Sequence, residues 1–181
     1  MLGGIPVVPP KSSKALLPPQ PDCVEVGPTR VIGGIRPQNF DVAYRPDGIR
    51  FAYDSKTLNT RDSVGKNYQN MTNDLGTEAA TVHTRFPSAI VAFIVAIPIP
   101  CLGNHRKNLA WVLTQLSGRK LPGDDAHKAE AIGLLLWDPA TGAVDPDWPA
   151  RDSILRIERF SEQIESCYAI RFAGVPPHNV D

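Results

Sequence analysis

At 181 residues, with 42% hydrophobic side chains, the chain is long enough for one domain with its own hydrophobic core. Its 19 basic and 19 acidic residues cancel, which excludes a uniformly basic surface, so any contact with nucleic acid requires a local cluster of positive charge. Three widely separated cysteines, Cys23, Cys101 and Cys167, make a poor disulfide framework, so a reducing, cytoplasmic setting is expected.

The first 22 residues are rich in proline, glycine, serine and lysine. Such a composition predicts an extended arm with little capacity to form a core. The arm is expected to lie on the domain or on a partner, and residues 23–181 are expected to form the single domain.

Two strand candidates precede the most informative segment. Residues 30–35 form a modest candidate that is interrupted by Gly33 and Gly34, and residues 40–44 alternate apolar and polar side chains. They lead to a Pro-Asp-Gly sequence at residues 46–48, which predicts a bend in the chain.

The strand after this bend carries two kinds of side chain. Because successive side chains of a strand point to opposite faces, Phe51 and Tyr53 share an apolar face that can enter a core. Asp54 and Lys56 share the other face, and Asp47 lies just upstream. The pattern therefore predicts an acid and an amine side by side at the edge of a core.

The following segments predict helices that alternate with strands. Apolar side chains recur every three or four residues up to about residue 83, as expected for an amphipathic helix: Val64, Tyr68, Met71, Leu75, Ala79 and Val82. The continuous apolar run 89–97 predicts a strand buried on both faces, and it is too short to cross a bilayer, so no membrane association is expected.

Three further segments complete the prediction. Residues 104–116 predict a helix, residues 129–137 a strand or a short helix, and residues 153–172 an amphipathic helix. Together the elements predict an α/β or α+β fold, a single domain in which helices flank a mixed central β-sheet.

The acids and the lysine suit the hydrolysis of a phosphodiester bond. This reaction requires a water made more acidic by a metal and stabilisation of charge on the phosphoryl oxygens. Mg²⁺ takes one or two carboxylates, so Asp47 and Asp54 are candidate ligands, and the carbonyl of Ser55 is a further one. Lys56 would orient or deprotonate the attacking water.

The sequence Pro46-Asp47, followed after six residues by Asp54-Ser55-Lys56, resembles the motif of the PD-(D/E)XK nucleases. These include many type II restriction endonucleases, and the short spacing is similar to that of the mismatch-repair nicking endonucleases. The resemblance implies a restriction endonuclease-like fold with Asp47 and Asp54 as metal ligands, Lys56 as the catalytic lysine and Mg²⁺ as cofactor. It favours a type II restriction enzyme that cuts double-stranded DNA as a homodimer.

Two other acids remain candidates for the metal. Asp47 and Asp54 are an odd number of positions apart, so the chain must bend near Gly48 for both to reach one ion. If the chain instead makes a tight type I turn here, Asp41 on the preceding strand comes close to Asp54. Many PD-(D/E)XK nucleases also use an upstream glutamate, and Glu25 is the glutamate upstream of this motif.

Candidate DNA contacts are basic and amide side chains near the motif and on the first helix: Arg45, Arg50, Arg61, Lys66, Asn67 and Asn70. A plain solvated helix face explains the helical ones equally well. Two other functions stay open. One is a non-catalytic nucleic-acid or protein-binding module on a nuclease-like fold, and the other is an enzyme acting on RNA or a small molecule.

Overall fold

The computed structural model describes residues 3–59 and 61–177, and the side chains of residues 61–66 lie outside this description. The described residues form a six-stranded sheet with helices on both faces. The strands are β1 (Val7–Val8), β2 (Val24–Ile32), β3 (Pro37–Tyr44), β4 (Phe51–Thr57), β5 (Ile90–Pro98) and β6 (Ala131–Trp137). The helices are α1 (Arg61–Arg85), α2 (Ile99–Leu102), α3 (Arg106–Leu116) and α4 (Ile157–Phe172), with a 3-10 turn at Gly103–His105.

The strands lie in the sheet in the order in which they occur in the chain. Short loops join the antiparallel strands β2, β3 and β4. Helix α1 carries the chain from β4 to the parallel strand β5, and α2 and α3 carry it on to β6, which is also parallel. Parallel neighbours need such crossovers because the chain must return to the end of the sheet at which the previous strand began. The predicted mixed α/β sheet is confirmed.

Strand β5 separates two hydrophobic cores. Val91 and Phe93 belong to the first core, together with apolar residues of α1 and α3. Ile90 and Ala92 belong to the second core, together with residues of α4. This alternation follows the two-residue period of a strand. The prediction of a strand buried on both faces is confirmed.

The buried side of α1 is the stripe that its sequence pattern predicts. Met71, Leu75, Ala79 and Val82 are each 6% exposed or less, and they face the first core. Burying this stripe against the sheet fixes the rotation of α1, and hence which of its polar side chains reach β4.

The turn between β2 and β3 rests directly on α1. The amide of Gly34 donates a hydrogen bond of 2.7 Å to the carbonyl oxygen of Thr81. A Cβ atom on Gly33 would lie 2.4 Å from that same oxygen, which is closer than real contacts allow. The two glycines that interrupt the strand pattern are therefore required by the close approach of the turn to the helix.

The described residues of the predicted arm, 3–22, lie on the domain. Strand β1 pairs in parallel with the start of β2, and Ile5 is buried in the second core. Further along, the guanidinium of Arg45 donates hydrogen bonds to the carbonyl oxygens of Ala15 and Leu16, at 3.4 and 2.9 Å. These contacts hold the segment against the sheet.

Two segments refine the sequence-based elements. Residues 129–137, for which strand and short helix were both open, contain β6. Helix α4 begins at Ile157 and not near residue 153, because residues 150–153 form a turn in which the amide of Ser153 donates to the carbonyl of Ala150. None of the described helices is long and apolar enough to span a membrane.

The contact between the β2–β3 turn and α1 predicts a strong effect of one methyl group. We expect Gly33→Ala to lower the free energy of unfolding by about 2–4 kcal/mol, because its Cβ would overlap the backbone of Thr81. Urea unfolding followed by circular dichroism measures this. Gly123→Ala is the matched control, since a Cβ at Gly123 meets no described atom within 4 Å, and we expect a change within about 0.5 kcal/mol. Equal effects of the two variants would contradict this prediction.

Candidate active site on strands β3 and β4

The pairing of β3 with β4 brings a second aspartate to the predicted motif. Val42 lies opposite Tyr53 in the antiparallel register, so the next position along sets Asp41 opposite Asp54. Their carboxyl groups lie close enough for each to shift the pKa of the other. On β4, Ala52 faces the first core, and Asp54 shares that face, on the side of the sheet that α1 covers. Two carboxyl groups from neighbouring strands therefore meet below α1.

Ser55 fixes the position of Asp41. Its amide N–H and its hydroxyl both donate to Oδ2 of Asp41, at 3.0 and 2.6 Å. Burial acts to raise the pKa of Asp41, but these hydrogen bonds and the nearby charge of Lys56 outweigh it, so the pKa lies below its ordinary value. Asp41 is the more readily ionised member of the pair.

The pKa of Asp54 is shifted in the opposite direction from that of Asp41. Asp54 is 8% exposed, and burial raises the pKa of its carboxyl group above the ordinary value. The hydrogen bond and charge of Lys56 oppose this rise, whereas the neighbouring Asp41 adds to it. When the pair carries one proton, Asp54 is the carboxyl that holds it.

Lys56 lies between Asp54 and a glutamate of α1. Its Nζ donates to Oδ2 of Asp54 and to Oε1 of Glu78, the second contact being 2.8 Å long. Burial acts to lower the pKa of Lys56, but the two carboxylates outweigh it and the pKa is raised. The amine is therefore held as an ammonium group.

The sequence analysis did not predict Glu78 as a site residue, although its position on the buried stripe of α1 could have indicated it. It lies three residues after Leu75 and four before Val82, so it shares the buried stripe of α1. Burial raises its pKa. Its Oε1 accepts hydrogen bonds from Lys56 and, at 2.8 Å, from Nε2 of Gln38. Its Oε2 is buried and has no hydrogen-bond partner among the residues that the structure describes.

Asp47 is not brought to this cluster. Its two carboxylate oxygens accept hydrogen bonds from Nε and Nη2 of Arg50, at 2.9 and 2.6 Å, and this pairing lowers its pKa. Asp47 lies in the loop before β4, whereas Asp54 lies within β4, roughly 10 Å beyond the first residue of the strand, Phe51. The bend near Gly48 does not bring Asp47 and Asp54 together, and Asp41 takes the place expected for Asp47.

Two arginines predicted to contact DNA are buried in other interactions, as is the candidate ligand Glu25. Arg45 pairs with Glu25, and the two side chains are 7% and 0% exposed. The side chain of Arg50 is 1% exposed, pairs with Asp47 and lies 4.9 Å from the ring centre of Phe172. These contacts correct the sequence-based roles, because Arg45 and Arg50 do not face solvent, and Glu25 forms its ion pair with Arg45 and not with Lys56.

The remaining predicted residues are distributed around the cluster. Asn67 and Asn70 are exposed on α1, as a DNA contact requires. The side chains of Arg61 and Lys66 lie outside the described residues. Ser55 is exposed, and its amide and hydroxyl bind Asp41.

The two aspartates fit a hard divalent cation. In the ranges that the structure describes, no group of three or more His, Cys, Asp or Glu side chains is arranged to hold a metal. Mg²⁺ usually takes one or two carboxylates and keeps several waters, so the neighbouring pair Asp41 and Asp54 supplies the number that it needs.

No family model, curated protein or solved structure matches this chain. The resemblance to the PD-(D/E)XK nucleases therefore rests on the motif residues, and the chemistry must be argued from the geometry of this cluster.

The excess of acids around Lys56 predicts a gain in stability when one acid is neutralised. The raised pKa of Asp54 means that its ionised form weakens the fold, so this cost is present above the raised pKa and disappears as pH falls below it. We expect Asp54→Asn to raise the free energy of unfolding by about 1 kcal/mol at pH 8. The gain should shrink at lower pH, where Asp54 of the wild type takes up a proton.

Urea unfolding at several pH values between 4 and 8, in buffers with EDTA, measures this difference. Asp125→Asn is the control, because this acid is exposed in a surface pair with Lys128, and we expect a change within about 0.5 kcal/mol. A clear loss of stability in Asp54→Asn at pH 8 would show that its ion pair with Lys56 outweighs its burial.

Proposed function

We propose that the chain hydrolyses DNA phosphodiester bonds with Mg²⁺ at the cluster of Asp41, Asp54, Lys56 and Glu78. The observation that carries the proposal is the meeting of two neighbouring carboxyl groups with a lysine held as an ammonium group. Two of the three acids, Asp54 and Glu78, are buried around this lysine, and buried carboxylates are costly unless each is fully paired. Groups with pKa values shifted in this way are typical of functional sites.

Each side chain has a distinct role in this proposal. Asp41 and Asp54 would hold the cation, which when bound makes a water more acidic and offsets charge on the phosphoryl group. Lys56 is protonated at neutral pH, so it suits donation of a hydrogen bond to the phosphoryl oxygen or to the attacking water, and not removal of a proton. Glu78 positions the ammonium group of Lys56.

The proposed substrate is double-stranded DNA that lies across the second half of β4 and the neighbouring part of β3. Asp41 and Ser55 are exposed there, so the phosphate backbone can approach the acids from solvent. Asn67 and Asn70 lie roughly 12–17 Å from Glu78 along α1, which is within reach of the neighbouring base pairs. A cytoplasmic type II restriction enzyme that cuts both strands as a two-fold homodimer is the biological role we propose.

Cleavage of long mixed-sequence DNA tests the proposal. We expect the wild type to give discrete fragments with Mg²⁺ and none with EDTA. Asp41→Asn, Asp54→Asn and Lys56→Gln should each reduce the cleavage rate by about 100-fold or more, because each removes a metal ligand or the fixed positive charge. Asp47→Asn is the matched control. It keeps an oxygen that can accept from Arg50, and we expect its rate to stay near that of the wild type.

Two results would count against the proposal. Loss of cleavage in Asp47→Asn, with cleavage retained in Asp41→Asn, would place the metal at the Pro-Asp-Gly loop and not at the cluster. A folded wild type that binds DNA without cutting it, with Mg²⁺ or Mn²⁺, would instead support the non-catalytic binding module.

The contact between Lys56 and Glu78 predicts a shift in the pH dependence of cleavage. Glu78 helps to raise the pKa of Lys56, so Glu78→Gln should lower that pKa while keeping an oxygen that accepts from Nζ. Cleavage that needs the ammonium group should then decline at a lower alkaline pH in the variant than in the wild type. Initial rates from pH 6 to 10 measure this, and an unchanged alkaline limb would contradict the role of Lys56 as a fixed charge.

A further inference from the structure

A cavity lies between α4 and the segment that follows α3, and its lining shares no residue with the cluster around Lys56. Its volume is about 590 Å³, within the usual size of small-molecule sites. The lining combines basic, polar and apolar side chains, among them Arg119, Lys120, Arg159, Gln163, Cys167 and Ile170.

A buried charge cluster adjoins this cavity: Arg119 and Glu130 line it, Arg171 lies behind Glu130, and together they hold more positive than negative charge. Oε1 of Glu130 accepts hydrogen bonds from Nη1 of Arg119 at 2.9 Å and from Nη1 of Arg171 at 2.7 Å. The three side chains are 1% exposed or less. Two buried guanidinium groups thus share one carboxylate, and Oε2 of that carboxylate also lies 3.3 Å from Nε2 of His83. Burying a charge without a counter-charge is costly, so this arrangement favours a further anion.

Arg119 also has an unused donor. Its Nη1 binds Glu130 and its Nη2 donates to the carbonyl oxygen of Pro122 at 2.6 Å. Its Nε is buried and has no acceptor within the described part of the chain. A guanidinium N–H donates strongly to an oxyanion, and the Nε–H of Arg119, a residue of the cavity lining, is a donor without a described acceptor.

The rim of the cavity adds positive charge at the surface. Lys120 and Arg159 are both exposed there, and the backbone carbonyl of Lys120 is fixed by hydrogen bonds from Arg171. The exposed acids Glu162, in the lining, and Asp124, nearby, lie at the same surface. Among the lining residues of the rim Lys120 and Arg159 outnumber Glu162, and the excess of positive charge is clearest in the buried groups behind the rim.

We infer that this cavity binds a small organic oxyanion, with its charged group at Arg119, Lys120 and Arg159. The apolar part of the ligand packs against Ile154 and Ile170, which line the same cavity. Phosphate monoesters and carboxylates share the chemistry that these residues recognise. The inference does not depend on the proposed nuclease activity, because none of these residues belongs to the cluster around Lys56.

Nitrogen-15 NMR of the full chain tests this binding, with inorganic phosphate and phenyl phosphate as probes at constant ionic strength. We expect the Nε–H signal of Arg119 and the amide signals of Gly118 and Lys120 to shift in a saturable manner with each probe. Phenyl phosphate should bind about 3- to 10-fold more tightly than phosphate, because its ring buries apolar surface.

Substitutions at the rim separate specific binding from general attraction. Lys120→Gln and Arg159→Gln should each weaken binding about 3- to 5-fold. Lys107→Gln, at an exposed position of α3 outside the cavity, removes the same charge and should leave the affinity unchanged. Asp54→Asn should also leave it unchanged, which separates this result from the fate of the nuclease proposal.

Two results would overturn the inference. The first is a lack of saturable shifts with either probe up to about 50 mM, a concentration at which even weak anion sites fill. The second is an equal loss of affinity in the Lys107→Gln control and the two rim variants, which would reduce the effect to overall charge.

Discussion

The antiparallel register of β3 against β4 is the constraint on which the candidate active site depends. It sets Asp41 opposite Asp54, and a shift of one residue would turn one of the two carboxyl groups to the other face of the sheet. Ion pairs lie at both ends of the connecting loop: the buried pair of Arg45 with Glu25 at its start, and the pair of buried Arg50 with exposed Asp47 near its end. Arginines predicted to contact DNA and acids predicted to bind metal thus stabilise the β3–β4 hairpin that carries Asp41 and Asp54.

The zero formal net charge conceals two clusters of opposite sign. Around Lys56, three acids surround one ammonium group, and burial raises the pKa of Asp54 and Glu78. Around Glu130, two guanidinium groups share one carboxylate. Each cluster lowers its electrostatic cost when it gains a counter-ion, a cation in the first and an oxyanion in the second. The same physical argument therefore supports the proposed metal site and the proposed anion site.

Local patterns in the sequence predicted the elements better than the contacts between them. The periodicity of α1 and the apolar run of β5 are repeated signals, so both elements and their buried faces were predictable. The partner of Asp54 depends on how many residues the β3–β4 loop contains and on the register that follows, which no local pattern fixes. Glu78 reaches Lys56 only because packing sets the rotation of α1. Arg45 is buried because it pairs with Glu25, which lies twenty residues away in the sequence. The residues next to Arg45 therefore gave no sign that it would be unable to contact DNA.

We propose that Asp41 and Asp54 together bind a divalent cation beside Lys56. A crystal structure of the wild type soaked with Mn²⁺, with diffraction recorded near the manganese absorption edge, tests it most directly, because Mn²⁺ accepts the same oxygen ligands as Mg²⁺. We expect an anomalous peak within bonding distance of a carboxylate oxygen from each aspartate, and its disappearance in crystals of Asp54→Asn. A peak at Asp47, or an ordered crystal with no peak between Asp41 and Asp54, would contradict the claim.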